Sequence, residues 1–212
     1  MTKISQSHLD QALNYAQYHQ LMTELVQHQE TEQYSESLIN YTRMNIIRME
    51  RLDKTTKVQA ASQAFLEKID RPLHLLILTE PWCGDAAQII PVLNKFATRS
   101  SNLTISCLLR DQNLELMDQY LTNGARSIPM TLVLDPNAGN QVLGYWGPRP
   151  FVAHGLMLKG LAELRAMPDG EEKDLAQRGL YTKLQKWYAR DKTNSIQEEF
   201  IAYLQEVIQI AS

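Results

Sequence analysis

The sequence predicts an α/β protein in which helices flank a mixed sheet and further helical segments precede and follow it. Three observations predict this. Residues 73 to 146 alternate short apolar runs with helical periodicity, and proline and glycine clusters punctuate the joints. The segments 1 to 70 and 167 to 212 carry helical spacing throughout. A chain of 212 residues, 44% hydrophobic and 21% charged, can bury a real core.

From Ser7 to about Glu30, Leu9, Leu13, Ala16, Leu21, Leu25 and Val26 recur at helical spacing, and Ser7 with Asp10 resembles a capping box, so one helix is expected. A second enters at Ser35 or Ser37 with Leu38, Tyr41, Met44, Ile47 and Leu52 as its apolar stripe, and a third carries Val58, Ala61, Phe65 and Ile69. Arg71-Pro72 ends it, because proline biases the residue before it away from helix and has no N–H to continue the ladder. The middle then reads strand 73–79, helix 84–99, strand 103–109, helix 112–122, strands 130–135 and 141–146, and helix 150–166. That order, β-α-β-α-β-β-α, makes a mixed sheet with helices packed on it. After Met167-Pro168-Asp169-Gly170 two helices are expected, at about 171–190 and 194–210, with Thr193 or Asn194 capping the second. The organisation is an N-terminal helical extension (1–70), an α/β domain (71–166) and a C-terminal helical extension (167–212). The C-terminal stripe of Leu184, Trp187, Tyr188, Phe200, Leu204 and Ile208 needs a covering surface, and packing within the chain is favoured over pairing between chains.

A net charge of −3 argues against nucleic acid as a partner. The one basic stretch, Arg43, Arg48, Arg51, Lys54 and Lys57, is interrupted by Glu50 and Asp53 and reads as the solvated face of a helix rather than an anion-binding patch. No apolar run approaches the roughly 20 residues that span a bilayer, and the polar start Met1-Thr2-Lys3-Ile4-Ser5 lacks a signal-peptide core, so a cytoplasmic protein away from membranes is expected. Two cysteines make no disulfide framework, and the five histidines show no metal-ligand spacing.

The chemistry gathers at Pro81-Trp82-Cys83-Gly84-Asp85-Ala86, where a buried strand hands over to a helix. Unpaired N–H groups and the helix dipole favour a thiolate at such a place, so Cys83 is expected to titrate below a free thiol, with Asp85 limiting the fall. Where a Cys-x-x-Cys pair would put its second thiol the chain has Ala86. Cys107 shares a strand face with Ile105 and Leu109 and reads as a small buried hydrophobe rather than a resolving thiol.

Trp82-Cys83-Gly84 opening a helix, Pro91 eight residues on, Arg110-Asp111-Gln112-Asn113 ending a strand, Ile128-Pro129 entering the next and Gly147 after the hairpin together resemble a thioredoxin over roughly residues 71 to 165. The overall pattern also resembles a bacterial group of thioredoxin-like proteins carrying Trp-Cys-Gly-Asp-Ala. The resemblance implies a thioredoxin-like fold in which Cys83 is the attacking cysteine, Trp82 shields it, Pro129 is a cis-proline facing the thiol and Gly147 leaves room for substrate. It also implies that the Ile128 backbone pairs with an extended peptide. Gly84 and Asp85, the latter a departure from the family, are expected to join the substrate-binding set beside Cys83. The family's resolving cysteine and its buried aspartate six residues before the thiol are replaced by Ala86 and Ile77.

Two functions follow. In the favoured one Cys83 is a monothiol that exchanges with a protein or small-molecule disulfide and is released by an external thiol; glutathione or another low-molecular-weight thiol is a co-substrate, and no cofactor or metal is expected. The alternative is a non-catalytic peptide-binding or assembly module using the Ile128-Pro129 groove. A glutathione-ligated iron–sulfur dimer, as in monothiol glutaredoxins, is disfavoured because the glutathione-binding pattern after the cis-proline is not evident. The oligomeric state is left open, with a monomer favoured.

Overall fold

A computed structural model describes residues 2–28 and 34–210. Four strands, β1 (Leu73–Thr79), β2 (Leu103–Leu109), β3 (Met130–Asp135) and β4 (Gln141–Trp146), form one sheet in the order β2-β1-β3-β4. β1 runs parallel to β2 and antiparallel to β3, which is antiparallel to β4, so the sheet is mixed as the element order requires. Leu75, Leu76, Ile77 and Leu78 are all fully buried, so β1 is covered on both faces, and a continuous apolar run suits a strand in that position better than an alternating one.

Nine helices surround the sheet among the described residues: α1 (Gln6–Gln11), α2 (Tyr15–His28), α3 (Glu36–Thr55), α4 (Ala60–Leu66), α5 (Ala86–Ala97), α6 (Leu114–Met117), α7 (Phe151–Arg165), α8 (Glu171–Asp191) and α9 (Asn194–Ile210). α5 buries Ile89, Ile90, Val92, Leu93 and Phe96, and α9 joins it where Phe200 stacks on Phe96 and meets Trp146 edge-on. α3 lies along α5, α2 against α3 and β2, α4 against α9, and α8 against α7. The helical flanks therefore pack within the chain, and their residues Met49, Leu184, Tyr188 and Leu204 belong to the same apolar cluster as the sheet.

Four readings of the sequence need correction. The single helix expected from Ser7 is two, capped by Ser5 rather than Ser7, because Leu13 leaves the helix to pair with Cys107 across the outer edge of β2, with N–H···O distances of 2.8 and 2.7 Å. Its expected end at Glu30 lies outside the described residues. The other sheet edge is also covered: Ile4 donates to Asn140 O and Val142 to Thr2 O. Edge strands left bare are pairing templates for other chains, so one N-terminal segment protects both.

The apolar stripe of α3 is rotated from the expected one. Ile39, Thr42, Asn45, Met49 and Leu52 face inward, whereas Tyr41, Met44 and Ile47 are exposed. The inward face carries two polar residues, so hydrophobic periodicity alone picked the wrong phase. Helix 84–99 begins at Ala86, since Gly84 and Asp85 form a turn. Helix 112–122 shrinks to the four residues of α6 after a short 3-10 turn at Arg110–Gln112.

Candidate thiol site

The loop from Glu80 to Asp85 leaves the end of β1 and delivers Cys83 just before α5. Cys83 N–H donates to Glu80 O and Ala87 N–H to Cys83 O, which ties the loop to the strand end and to the first turn of the helix. The Cys83 Sγ–H donates to the carbonyl of Ile128 at 3.4 Å. The Ile128–Pro129 and Gly147–Pro148 peptide bonds are both cis. No hydrogen bond engages the Ile128 N–H among the described residues. Gly147 sits at φ +144°, and a side chain there would collide with the Pro129 carbonyl oxygen, so the protein's own backbone requires the glycine.

Trp82 packs partly against Leu25, Tyr34 and Ile39, with the Arg110 guanidinium 5.3 Å from its ring centroid. Its indole N–H is shielded from solvent and has no hydrogen-bond partner among the described residues. Beneath it Glu80 is fully buried, accepting from Tyr34 Oη at 3.0 Å and from the Asp111 N–H at 2.8 Å. Burial raises the Glu80 carboxyl above its ordinary range. Thus a buried carboxylate does stand at the head of the loop, three residues before Cys83 in the chain, although the family's aspartate position is Ile77.

Asp85 is a structural centre rather than a helix-end ornament. It is 7% exposed; Arg149 Nη2 and Nε donate to Oδ2 at 2.7 and 3.0 Å, and Tyr188 Oη donates to Oδ1 at 2.6 Å. Such charge-assisted bonds answer the desolvation that an isolated buried carboxylate would suffer. Tyr188 belongs to α8, so the C-terminal extension closes over the loop. Gln185 of α8 adds a bond to Gly84 O at 3.3 Å and is itself held by Gln88 at 2.7 Å. From the other extension, Asn45 of α3 donates to Pro81 O at 2.9 Å, and Arg48 donates to Asn45 at 2.7 Å.

This enclosure reverses the acidity expected of Cys83. Its thiol is pushed up to about 12, first by burial and then by the negative charge of Asp85. The backbone N–H groups of Ala86 and Asp85, and the charge of Arg149, act in the opposite direction but do not prevail. The helix-end argument was correct in sign; desolvation is larger. Cys107 is fully buried on β2, as a small hydrophobe would be, and both cysteines are free.

Tyr188, Gln185, Asn45 and Glu80 were not assigned to the site by the sequence. One signal was legible: Thr42 and Asn45 share the i, i+3, i+7, i+10 face of Met49 and Leu52, and a polar side chain in such a position must find a partner. Among the described residues there is no His, Cys, Asp and Glu cluster that could hold a metal ion, and no helix long and apolar enough to cross a membrane.

Two solved structures resemble the fold over essentially the whole chain. One is a protein of unknown function from Pseudomonas aeruginosa, with a TM-score of 0.59 at 17% identity over 100% of both chains. The other is an HIV epitope-scaffold, with a TM-score of 0.57 at 18% identity over 99% of this chain and 100% of that one. No curated protein sequence matches significantly. The thioredoxin family model matches residues 31–168, which takes in α3 and α4 as well as the sheet and the Cys83 loop, and on that match the chain belongs to the thioredoxin family.

Proposed function

We propose that the protein carries out monothiol thiol–disulfide exchange through Cys83, from a thiol that is masked at rest. The observation that carries this reading is the aim of the sulfur. Sγ points at the Ile128 carbonyl beside cis Pro129, and the Asp85 and Ala86 N–H groups already act on it in the sense that stabilises a thiolate. Burial is the leading cause of its low acidity, so loosening α8 from the loop would remove part of that cause and leave those N–H groups and Arg149 set against the charge of Asp85.

The chemistry then runs in two balanced steps. The Cys83 thiolate attacks one sulfur of a disulfide, a new S–S bond forms, the old one breaks, and the departing thiolate takes up a proton. An external small thiol, as thiolate, next attacks the substrate sulfur of the mixed disulfide, and Cys83 leaves in its starting oxidation state. A second thiol within the chain is not needed, which accords with Ala86 in place of a resolving cysteine and with Cys107 sealed in β2.

The experiment is mass spectrometry of the protein treated with oxidised glutathione. A single adduct on Cys83, absent in Cys83→Ser, together with no cyclic reduction of insulin by a dithiol reductase, is the expected result. A second reading, a peptide-binding module without exchange, draws its support from the thiol's upward shift to about 12. Absence of the adduct from the unmodified protein at pH 8 after prolonged incubation would replace exchange by that reading.

A further inference from the structure

Four arginines of the α/β core pair with a carboxylate: Arg71 with Asp135, Arg110 with Asp111, Arg126 with Asp118 and Arg149 with Asp85. Arg48 and Arg51, one turn apart on α3, make no ion pair among the described residues. Arg48 is nevertheless half-buried and fixed. Its Nη1 donates to Asn45 Oδ1 at 2.7 Å, and Asn45, wholly buried, uses its own Nδ2 to hold the Pro81 carbonyl at 2.9 Å. The residue that orients the cation is therefore the one that fixes the Cys83 loop.

Arg48 also reaches that loop directly. Its Nη1 lies 3.6 Å from the point where a side chain on Gly84 would begin, which is van der Waals distance and sets the guanidinium beside the residue next to Cys83. Burial, followed by the like charge of Arg51, lowers the Arg48 pKa. Two neighbouring guanidiniums, one desolvated and neither neutralised, are a standing electrostatic penalty that a bound anion relieves, and their planar forks match a carboxylate. The charges that act on the Cys83 thiol are those of Asp85 and Arg149 rather than Arg48. Arg48 thus suits a group several bonds away from a reacting sulfur.

We propose that Arg48 and Arg51 form a carboxylate-binding subsite beside Gly84, which selects a small thiol or disulfide bearing carboxylates as the exchange partner of Cys83. The proposal rests on the exchange reading above and names the class of its co-substrate. It replaces, for Arg48, the solvated helix face that the interrupted charge pattern indicated.

The test compares rates of mixed-disulfide formation on Cys83 with oxidised glutathione, which carries carboxylates, and with hydroxyethyl disulfide, which is neutral, in the full chain with Cys107→Ala. The ratio of the two rates is expected to fall about tenfold in Arg48→Gln/Arg51→Gln, with Arg48→Lys losing less, and to fall in the parent protein as salt is raised. A ratio that stays within twofold of the parent's in the double variant overturns the subsite while leaving exchange intact. If neither disulfide labels Cys83, exchange has failed, and S-methylglutathione, a thioether that cannot exchange, tests the subsite by itself. Saturable shifts of the Gly84 amide and the Arg48 Nε–H resonances, lost in Arg51→Gln, sustain it; no saturable shift in the parent protein overturns it.

Discussion

The sheet and the enclosure of the Cys83 loop are built on opposite principles. Leu75 to Leu78 of β1 and Ile89 to Leu93 of α5 are sealed by apolar neighbours that need only volume and pattern, and cores of that kind tolerate substitutions that conserve both. The enclosure is polar: Asn45, Gln88, Gln185, Tyr188, Arg149 and Asp85 each answer a specific donor or acceptor. A polar closure is stable only while every member is present, and it can be released by disturbing one. The contrast suits a rigid platform under a loop whose opening the proposed exchange requires.

The largest expected effect sharpens the question of whether the N-terminal helices belong to the platform. They contribute Ile4, Tyr18, Met22, Met49, Leu66 and Ile69 to the core cluster, and each buried large side chain is worth about 1.5–3 kcal/mol. Cutting the chain before Arg71 should destabilise it by at least several kcal/mol, comparable with the whole stability of a domain. Urea unfolding followed by circular dichroism checks this. A truncated chain as stable as the full one would show the flank to be an arm rather than part of the core.

Within the enclosure, Arg149→Ala should cost about 3–5 kcal/mol, because it leaves Asp85 charged, buried and held by Tyr188 alone. Arg149→Ala combined with Asp85→Asn should lose less than the sum of the two single changes, since one interaction is counted in both. Additive losses in urea titrations would mean that the pair is not coupled. The same variants separate the two regions at the thiol. Asp85→Asn should lower the Cys83 pKa and Arg149→Gln raise it, read by thiolate absorbance in a Cys107→Ala background.

The apolar platform was legible and the polar enclosure largely was not, for a physical reason. A strand such as β1 (Leu73–Thr79) announces itself because burial on both faces needs a continuous apolar run, here Leu75 to Leu78, and the order of such runs sets a mixed sheet. Cys83 and Asp85 could be picked out by their place at a strand-to-helix junction, and Trp82, Ile128, Pro129 and Gly147 by the resemblance of their motifs to a thioredoxin. The partners of Asp85 could not: Arg149 and Tyr188 lie 64 and 103 residues away in the chain, and a hydrogen bond leaves no periodicity. The acidity of Cys83 was misjudged for the same reason, since the local helix end is visible in sequence and the burial that the whole fold imposes on it is not. Leu13 likewise reads as helical until its pairing with Cys107 is known.

A smaller effect ties both regions to pH. Cys83 is raised to about 12 in the folded chain, against about 8.5 for a free thiol in an unfolded one, so its protonated form favours folding. That contribution is complete below the unfolded value and declines as pH rises towards the folded one, by about 1.4 kcal/mol per pH unit. Cys107, raised by burial, behaves in the same direction. Between pH 8 and 10 each thiol should therefore withdraw about 2 kcal/mol of stability, and Cys83→Ala should remove one thiol's share of the fall. An unchanged pH dependence in Cys83→Ala would mean that the thiol is not enclosed in solution.

The smallest expected effect lies on α3, whose two faces belong to different environments. Met49 is 1% exposed and Ile47, two residues earlier, is 64% exposed. Residues two apart on a helix point in nearly opposite directions, so one α3 side chain lies within the core while the other meets water. Ile47→Ser should then change stability by no more than about 0.5 kcal/mol, whereas Met49→Ala should cost about 2–5 kcal/mol through the cavity it leaves. The comparison tests the rotated stripe directly, because the periodicity of the sequence assigned Ile47 to the buried face. A substantial loss from Ile47→Ser, in a chain whose sedimentation is unchanged, would restore that phase and take Asn45 and Arg48 away from the Cys83 loop.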